Sequence, residues 1–202
     1  MKTIKENQKA TETINKSEFI ADLIRVNSVE EATNALNKVK KNYYDATHHP
    51  YAYILGSKGE VKKCSDDGEP SQTSGLPILN VLEKNELTNI ICIVTRYFGG
   101  IKLGAGGLVR AYSQTAAKAV SLAPTLTLTK TIKFQIKTSY TYSDLILRRI
   151  DSDALYDKRF LEEVYLFYEV KEEDFETISK ELKELTKNDI QIDILEKCEK
   201  YL

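Results

Sequence analysis

The sequence predicts an α+β protein with two domains, residues 1–125 and residues 126–202. In the first part of the chain, continuously apolar segments alternate with amphipathic helical segments, which is typical of a sheet covered by helices. In the second part, strands of alternating apolar and polar residues predominate, which is typical of a sheet with one buried face. Pro124 and three threonines indicate a linker at residues 121–130.

The first domain is predicted to contain four strands and three helices. Ser28 and Glu31 have the spacing of a capping box, in which a hydroxyl and a carboxylate satisfy free backbone amides. Ser74 is expected to cap a second, short helix, and the turn at residues 57–59 indicates a hairpin. The predicted strands cover residues 19–26, 49–55, 61–64 and 90–94, and the predicted helices cover residues 29–42, 74–82 and 108–122.

The order of elements predicts the architecture of the second domain. A helix near residues 173–186 has an apolar stripe formed by Phe175, Ile178, Leu182 and Leu185. Strands are expected at residues 132–136, 154–161, 164–170 and 190–194, with another helix near residues 143–150. The resulting order, strand, helix, strand, strand, helix, strand, is that of a ferredoxin-like βαββαβ domain.

Charge is distributed unevenly along a chain whose net charge is −1. Residues 87–143 contain no Asp or Glu and carry +7, whereas residues 144–202 carry −7. A basic segment of this kind indicates an anionic partner. Three distant cysteines argue against a disulfide framework and a structural zinc site. The absence of a signal-like or membrane-spanning apolar run leads us to expect a cytoplasmic protein that does not associate with membranes.

A glycine-rich loop joins an apolar strand to a helix within residues 95–112. Gly104, Gly106 and Gly107 lack Cβ atoms, so the backbone can adopt positive φ and approach a ligand closely. The helix that follows presents free amides and a positive dipole end, which favour phosphate or carboxylate. The predicted anion- or nucleic-acid-binding set is Arg96, Tyr97, Gly99, Gly100, Lys102, Gly104, Gly106, Gly107 and Arg110. The alternative is that the glycines only permit a tight connection between strand and helix.

Two nucleotide-binding motifs are excluded at this loop. A P-loop requires Gly-Lys followed by Ser or Thr, but Ala105 follows Gly104. The dinucleotide fingerprint requires a last glycine at the position that Val109 occupies. No cofactor is therefore expected.

Asp66, Asp67 and Glu69 place three carboxylates within one short acidic turn, residues 65–71. Three interpretations remain open. The carboxylates could hold magnesium or perform acid–base chemistry, with His48 as a further candidate catalytic residue. They could belong to a solvated turn. They could also dock against Arg96 or Arg110 and order the glycine-rich loop.

His48 and His49 are the only histidines, and adjacent residues of a strand point to opposite faces. They are therefore not expected to share a metal, and no spacing indicates a catalytic triad. Tyr97 and Phe98 beside Arg96 are typical either of a core or of a surface that stacks on single-stranded nucleic acid.

Several of these runs, in this order, resemble the IMPACT (YigZ, UPF0029) family, in its bacterial two-domain form. The runs are Asp45 to His48, Ser65 to Ser71, Gly75 to Asn80 and Thr95 to Tyr112. The family pattern falls on His48, Asp66, Asp67, Gly68, Glu69, Pro70, Thr73, Gly75, Arg96, Tyr97, Gly99, Gly100, Lys102, Gly104, Gly107, Arg110 and Tyr112. This chain departs from it at Gln72, where the family usually has Gly, and at Ser74, where it usually has Ala.

The resemblance implies an N-terminal α/β domain like the second domain of ribosomal protein S-five. It also implies a C-terminal domain like the fifth domain of elongation factor G. Eukaryotic members act in translational control with an additional RWD domain, for which this chain has no room, so we do not expect that activity here.

These observations favour a non-enzymatic regulator of translation that binds RNA or the ribosome. Two alternatives remain. One is a small metal-dependent enzyme acting on a phosphorylated or nucleotide substrate through Asp66, Asp67, Glu69 and His48. The other is a module that binds a protein partner through the C-terminal sheet.

Overall fold

The computed structural model describes all residues from Met1 to Leu202 and contains ten strands and five α-helices. The strands are β1 Lys2–Ile4, β2 Gln8–Ile14, β3 Ser17–Arg25, β4 Tyr51–Leu55, β5 Val61–Ser65, β6 Ile90–Tyr97, β7 Thr125–Thr138, β8 Leu155–Phe160, β9 Val164–Lys171 and β10 Gln191–Tyr201. The helices are α1 Val29–Asn42, α2 Gly75–Lys84, α3 Gly104–Leu122, α4 Tyr140–Arg149 and α5 Glu172–Leu185, and a 3-10 helix covers Ser152–Ala154. The α+β class predicted from the sequence is confirmed.

The chain divides into two compact units, Met1–Leu128 and Thr129–Leu202. The division lies within β7, so the expectation of a linker at residues 121–130 is wrong. Threonine and leucine alternate from Thr125 to Thr129, and β-branched residues at alternate positions favour a strand. Pro124, which has no amide hydrogen to donate, stands immediately before that strand.

The sheet of the first unit has the strand order β2-β3-β6-β4-β5. Strand β6 lies at its centre and pairs antiparallel with both β3 and β4. Alternate residues of β6 enter different cores, because successive side chains of a strand point to opposite faces. Cys92 and Val94 pack in the core that α2 and α3 complete. Ile91 and Ile93 pack in the core on the α1 side. The prediction that this strand is covered on both faces is confirmed.

Helix α1 begins where the capping box predicts. Ser28 Oγ accepts a hydrogen bond from the Glu31 amide at 3.1 Å. The Glu31 carboxylate accepts from the Asn27 amide at 2.8 Å, one residue earlier than the pattern requires. The helix packs Ala32 and Val39 against the sheet.

Strands β1 and β2 have no counterpart in the sequence-based prediction. Strand β2 lies at the edge of the sheet, and Ala10 is its only buried residue. Such a strand has no apolar periodicity to detect. Strand β1 has three residues and pairs with residues 125–127 of β7.

The second unit has the predicted order of strands and helices, with a sheet ordered β10-β7-β9-β8. Strand β9 pairs antiparallel with β7 and with β8. Phe134 and Tyr168 stack in the core, with ring centroids 5.8 Å apart, and Phe175 of α5 packs edge-on against Phe134. The ferredoxin-like βαββαβ prediction is confirmed. None of the helices in either unit is both long enough and apolar enough to cross a bilayer.

Candidate functional site

The end of β6, the glycine-rich loop and the start of α3 enclose a cavity of about 510 Å³ in the first unit. The acidic turn and the residues before β4 close its other side. The residues that line it are Thr47, His48, Glu69, Pro70, Arg96, Phe98, Lys102, Leu103, Gly104, Ala105 and Leu108. Basic, apolar and carboxylate groups from distant parts of the sequence therefore meet at one place.

A buried ion pair forms the floor of this cavity. Arg96 Nη1 donates to Glu69 Oε1 at 2.6 Å, and only 8 % and 3 % of the two side chains are exposed. The hydroxyl of Tyr112 on α3 donates to the same oxygen at 2.7 Å. Burial, followed by the hydrogen bond to Glu69, raises the pKa of Tyr112 well above its usual range. The acidic turn thus docks on β6 and α3 through Glu69, which is the third arrangement considered from the sequence.

Two aromatic rings flank the Arg96 guanidinium. Its central carbon lies 5.5 Å from the ring centroid of Phe19 and 5.4 Å from that of Phe98, distances typical of cation–π contacts. Phe19 is fully buried, whereas 52 % of Phe98 is exposed. Arg96 Nε is buried and has no hydrogen-bond partner.

The N-terminus of α3 is open towards the cavity. Gly104 begins the helix with φ = 68°, and a Cβ there would contact nothing within 4 Å. The preceding residue, Leu103, supplies no side-chain cap. The first amides of a helix have no intrahelical acceptor, so those of Gly104, Ala105 and Gly106 are left for acceptors outside the helix. Lys102, which is exposed and forms no ion pair, lies beside them.

Not every glycine of the predicted set is placed for ligand binding. A Cβ on Gly99 would lie 2.0 Å from the backbone of Lys16, so this glycine permits the loop to touch the hairpin between β2 and β3. Its amide donates to Ser17 Oγ at 3.2 Å. Gly107 packs under Leu103, where a Cβ would lie 3.0 Å away. Gly100, with φ = 83°, and Gly106 have open space at the Cβ position but do not line the cavity.

Two further residues of the predicted set lie outside the cavity. Arg110 is exposed on α3 and does not line it. Tyr97 is half-buried, and its hydroxyl donates to Asp45 Oδ1 at 2.7 Å. That hydrogen bond is the main cause that raises the pKa of Tyr97 to about 12. Phe98 is therefore the aromatic residue of this pair that faces the cavity.

Asp66 caps α2. Its Oδ1 accepts hydrogen bonds from the amides of Ser74 and Gly75 and from the Ser74 hydroxyl, at 3.0, 2.9 and 2.7 Å. Its Oδ2 accepts from the Gln72 amide at 2.8 Å. Partial burial alone would raise the pKa of Asp66, but these hydrogen bonds together lower it. The expectation that Ser74 caps this helix is wrong, because its hydroxyl donates to the carboxylate that does so.

Asp67 points to a different set of partners. Its Oδ1 lies 2.7 Å from Lys40 Nζ of α1, and its Oδ2 accepts from the His49 amide at 2.8 Å. Burial opposes the ionised form, but the bonds from Lys40 and His49 outweigh it and lower the pKa of Asp67. Its backbone carbonyl lies 2.9 Å from Nδ1 of His48.

The three carboxylates of the acidic turn therefore contact three different parts of the first unit and do not converge on one site. Asp66 faces α2, Asp67 faces α1, and only Glu69 shares the cavity with His48. No group of three His, Cys, Asp or Glu side chains in residues 1–202 is arranged to hold a metal ion. The two histidines also bind separate carbonyls, since His49 Nε2 lies 3.1 Å from the Tyr43 oxygen.

Sequence reasoning missed the part that Tyr112 has in this site. Its signal lies in the helical spacing, because Leu108, Ala111, Tyr112 and Thr115 form the buried face of α3. A tyrosine on a buried face usually has a partner for its hydroxyl. The same spacing places Arg110 on the exposed face.

Comparisons with known proteins show the family of this chain. The family model of the Impact N-terminal domain matches residues 15–120. The IMPACT family member YvyE of Bacillus subtilis is 46 % identical over 119 residues, which are 59 % of this chain and 55 % of that protein. An IMPACT family member of Haemophilus influenzae is 32 % identical over 189 residues, 92 % of either chain. The alignment thus spans about half of YvyE but nearly all of the Haemophilus protein.

One solved structure, described as the crystal structure of a hypothetical protein, is similar over nearly the whole length of this chain. It aligns with 96 % of this chain and 97 % of its own at 27 % identity, with a TM-score of 0.61. The family model covers more than half of this chain, and a relative above 30 % identity aligns over nearly all of it. The chain therefore belongs to the IMPACT family.

Proposed function

We propose that this protein acts in translation by binding RNA, including the RNA of the ribosome, at the cavity beside the start of α3. The observation that carries the proposal is the meeting of an unpaired lysine, Lys102, with the uncapped amides of α3 at one cavity. Cations and helix N-termini favour phosphate oxygens, and phosphate contacts supply most of the affinity of proteins for nucleic acids.

The distribution of ion pairs supports this location. Four of the seven cations of residues 87–143 are neutralised by carboxylates: Arg96 by Glu69, Lys118 by Glu12, Lys133 by Glu196 and Lys137 by Glu163. Lys102, which lies just before α3 and lines the cavity, forms no ion pair, and neither does Arg110 on the exposed face of the second turn of α3. The uncompensated positive charge of the first unit's basic segment is thus concentrated at this end of the helix.

The family resemblance supports the translational setting. The folds that it implies occur in ribosomal proteins and in translation factors. A phosphate-binding cavity on such a fold is consistent with a regulator that acts on the ribosome.

The test is the affinity for a labelled single-stranded RNA, measured by fluorescence anisotropy at several salt concentrations. We expect Lys102→Glu to weaken binding and to reduce the slope of log K against log salt by about 1. The control is Lys63→Glu, an exposed lysine on β5 outside the cavity that changes the net charge equally. Equal affinities for the two variants, or no RNA binding at low salt, would contradict the proposal.

A protein partner at the C-terminal sheet is a second candidate function. The observation that favours it is one contiguous group of exposed apolar side chains at the end of β8. The ring of Tyr140 lies 6.3 Å from that of Phe160, its hydroxyl donates to the Leu161 carbonyl, and the three residues are 55, 49 and 64 % exposed, respectively. Exposed apolar groups of this kind mark docking surfaces. Co-sedimentation with ribosomes that survives Lys102→Glu but is lost in Leu161→Asp would favour this route.

A further inference from the structure

The exposed ring of Phe98 lies at the mouth of the cavity and contacts the buried side chain of Arg96. The guanidinium carbon of Arg96 lies 5.4 Å from its centroid, yet 52 % of the residue is exposed to solvent. An exposed aromatic ring that a cation supports from one side has its other side available for a planar group. Nucleobases stack on such rings in proteins that bind single strands.

Arg96 gives an independent indication that a ligand belongs in this cavity. The residue is only 6 % exposed and lines the cavity, but its Nε donates to no acceptor. Buried donors without a partner are rare, because leaving one unpaired costs about 1–3 kcal/mol. The hydroxyls of Thr95, Thr138 and Tyr168 are also buried without a partner, but of these residues only Arg96 lines the cavity, where a ligand could bring an acceptor.

The rest of the wall separates into a charged part and an apolar part. Lys102 and the amides that begin α3 form the charged part, and Leu103, Leu108 and Pro70 belong to the apolar part. The volume of about 510 Å³ lies within the range of small-molecule sites. A nucleotide has the matching division, with a charged phosphate and a flat, largely apolar base.

From these observations we propose that the cavity holds one unpaired nucleotide of single-stranded RNA, with its phosphate at the start of α3 and its base against Phe98. This inference rests on the proposed function, because it specifies the form of RNA that the same cavity binds. A base within a duplex is stacked on its neighbours, so it cannot enter. Double-stranded RNA can then reach only the outer phosphate contacts.

The experiment compares a single-stranded 10-nucleotide RNA with the duplex that it forms with its complement. We expect the single strand to bind at least about tenfold more tightly at equal salt. Phe98→Ala should weaken binding of the single strand by about 5- to 150-fold, which corresponds to the roughly 1–3 kcal/mol of one base–aromatic stack. Phe98→Tyr keeps the ring and should bind like the unmodified protein.

A matched control tests whether any exposed aromatic residue matters. Tyr44→Ala removes a ring that is 85 % exposed in the first unit and does not line the cavity, and it should leave the affinity unchanged. A 2-aminopurine base placed within the RNA reports stacking directly. Its fluorescence should be quenched when the unmodified protein binds the RNA, but not when the Phe98→Ala variant binds it.

The outcomes separate the two proposals. Equal affinity for single strand and duplex, with dependence on Lys102 and none on Phe98, would overturn the nucleotide proposal and leave the RNA-binding function intact. If the unmodified protein does not bind RNA at all, both the RNA-binding function and the nucleotide proposal are wrong. Unfolding midpoints of each variant distinguish a lost contact from a lost fold, and a folded Phe98→Ala variant with unchanged affinity rejects the stacking contact.

Discussion

Arg96 donates a hydrogen bond to Glu69 across 27 residues of sequence, with Nη1 and Oε1 2.6 Å apart inside the first unit. The pair joins the acidic turn to the central strand of the sheet. Tyr112 binds the same carboxylate oxygen, so helix α3 is connected to both. The floor of the cavity and the start of α3 are therefore held by one buried network.

We predict that this ion pair is strongly coupled. Glu69→Ala or Arg96→Ala leaves a buried charge without its partner, which costs about 3–5 kcal/mol of unfolding free energy. The double variant should cost much less than the sum of the two. Urea unfolding of the four proteins measures the coupling.

The exposed pair Lys62–Glu83 is the control for this cycle, because its atoms are also close, at 2.8 Å. Its coupling should not exceed about 1 kcal/mol, since both side chains are well exposed. Similar coupling energies for the two pairs would show that the buried pair has no special structural role.

A second prediction concerns Asp66 and acid. Its pKa is lower in the folded protein than the ordinary value of 3.8, so its stabilising effect is complete above that value and is lost as pH falls through the folded pKa. Asp66→Ala, which removes the cap of α2, should therefore cost about 1–2 kcal/mol at pH 7 and less near pH 3. Denaturant unfolding at the two pH values checks this, with the exposed Glu6→Ala as the control. A cost that does not change with pH would contradict it.

A third prediction concerns the tautomers of the two histidines. A carbonyl oxygen only accepts hydrogen bonds, so the ring nitrogen that contacts it must carry the proton. In their neutral forms, His48 should be protonated on Nδ1, which faces the Asp67 oxygen, and His49 on Nε2, which faces the Tyr43 oxygen. Nitrogen chemical shifts of the rings distinguish the two forms, and identical tautomers for both residues would show that one of these contacts is absent.

A fourth prediction concerns Gln72, whose φ of 61° lies in the left-handed region. A residue with a side chain is strained there by about 1–2 kcal/mol, whereas glycine is not. Glycine also has more conformational freedom in the unfolded chain, which offsets roughly 0.5–1 kcal/mol of that gain. Gln72→Gly should thus stabilise the protein by up to about 1.5 kcal/mol, and Gln72→Ala should not. A destabilised glycine variant, by thermal unfolding, would contradict this account.

The elements that were predicted correctly have strong local signals. Helix α1 combines a capping residue, Ser28, with apolar positions at helical spacing, and β6 is apolar at every position from Ile90 to Val94. Strand β2 was missed because an edge strand with one buried residue carries no such periodicity. The prediction of a linker at residues 121–130 is wrong because it depends on Pro124 as a breaker. The alternation of Thr and Leu directly after Pro124 indicates a strand instead.

The candidate site was predictable only in part, for a related reason. The loop could be located because glycines and basic residues cluster there within a few positions. The partners of those residues could not, since Glu69 and Tyr112 meet across 43 residues and only the folded sheet brings them together. Arg110 was included because it is close in sequence, although the periodicity of α3 turns it away from the cavity.

The central claim is that the start of α3 binds the phosphate of RNA, and amide chemical shifts test it most directly. In a titration of the ¹⁵N-labelled protein with the single-stranded RNA, the amides of Gly104, Ala105 and Gly106 should shift most, together with that of Lys102. These shifts should vanish at high salt, because the contacts are ionic. If the largest shifts instead lie in the second unit, or if these amides do not respond at saturating RNA, the cavity is not the binding site.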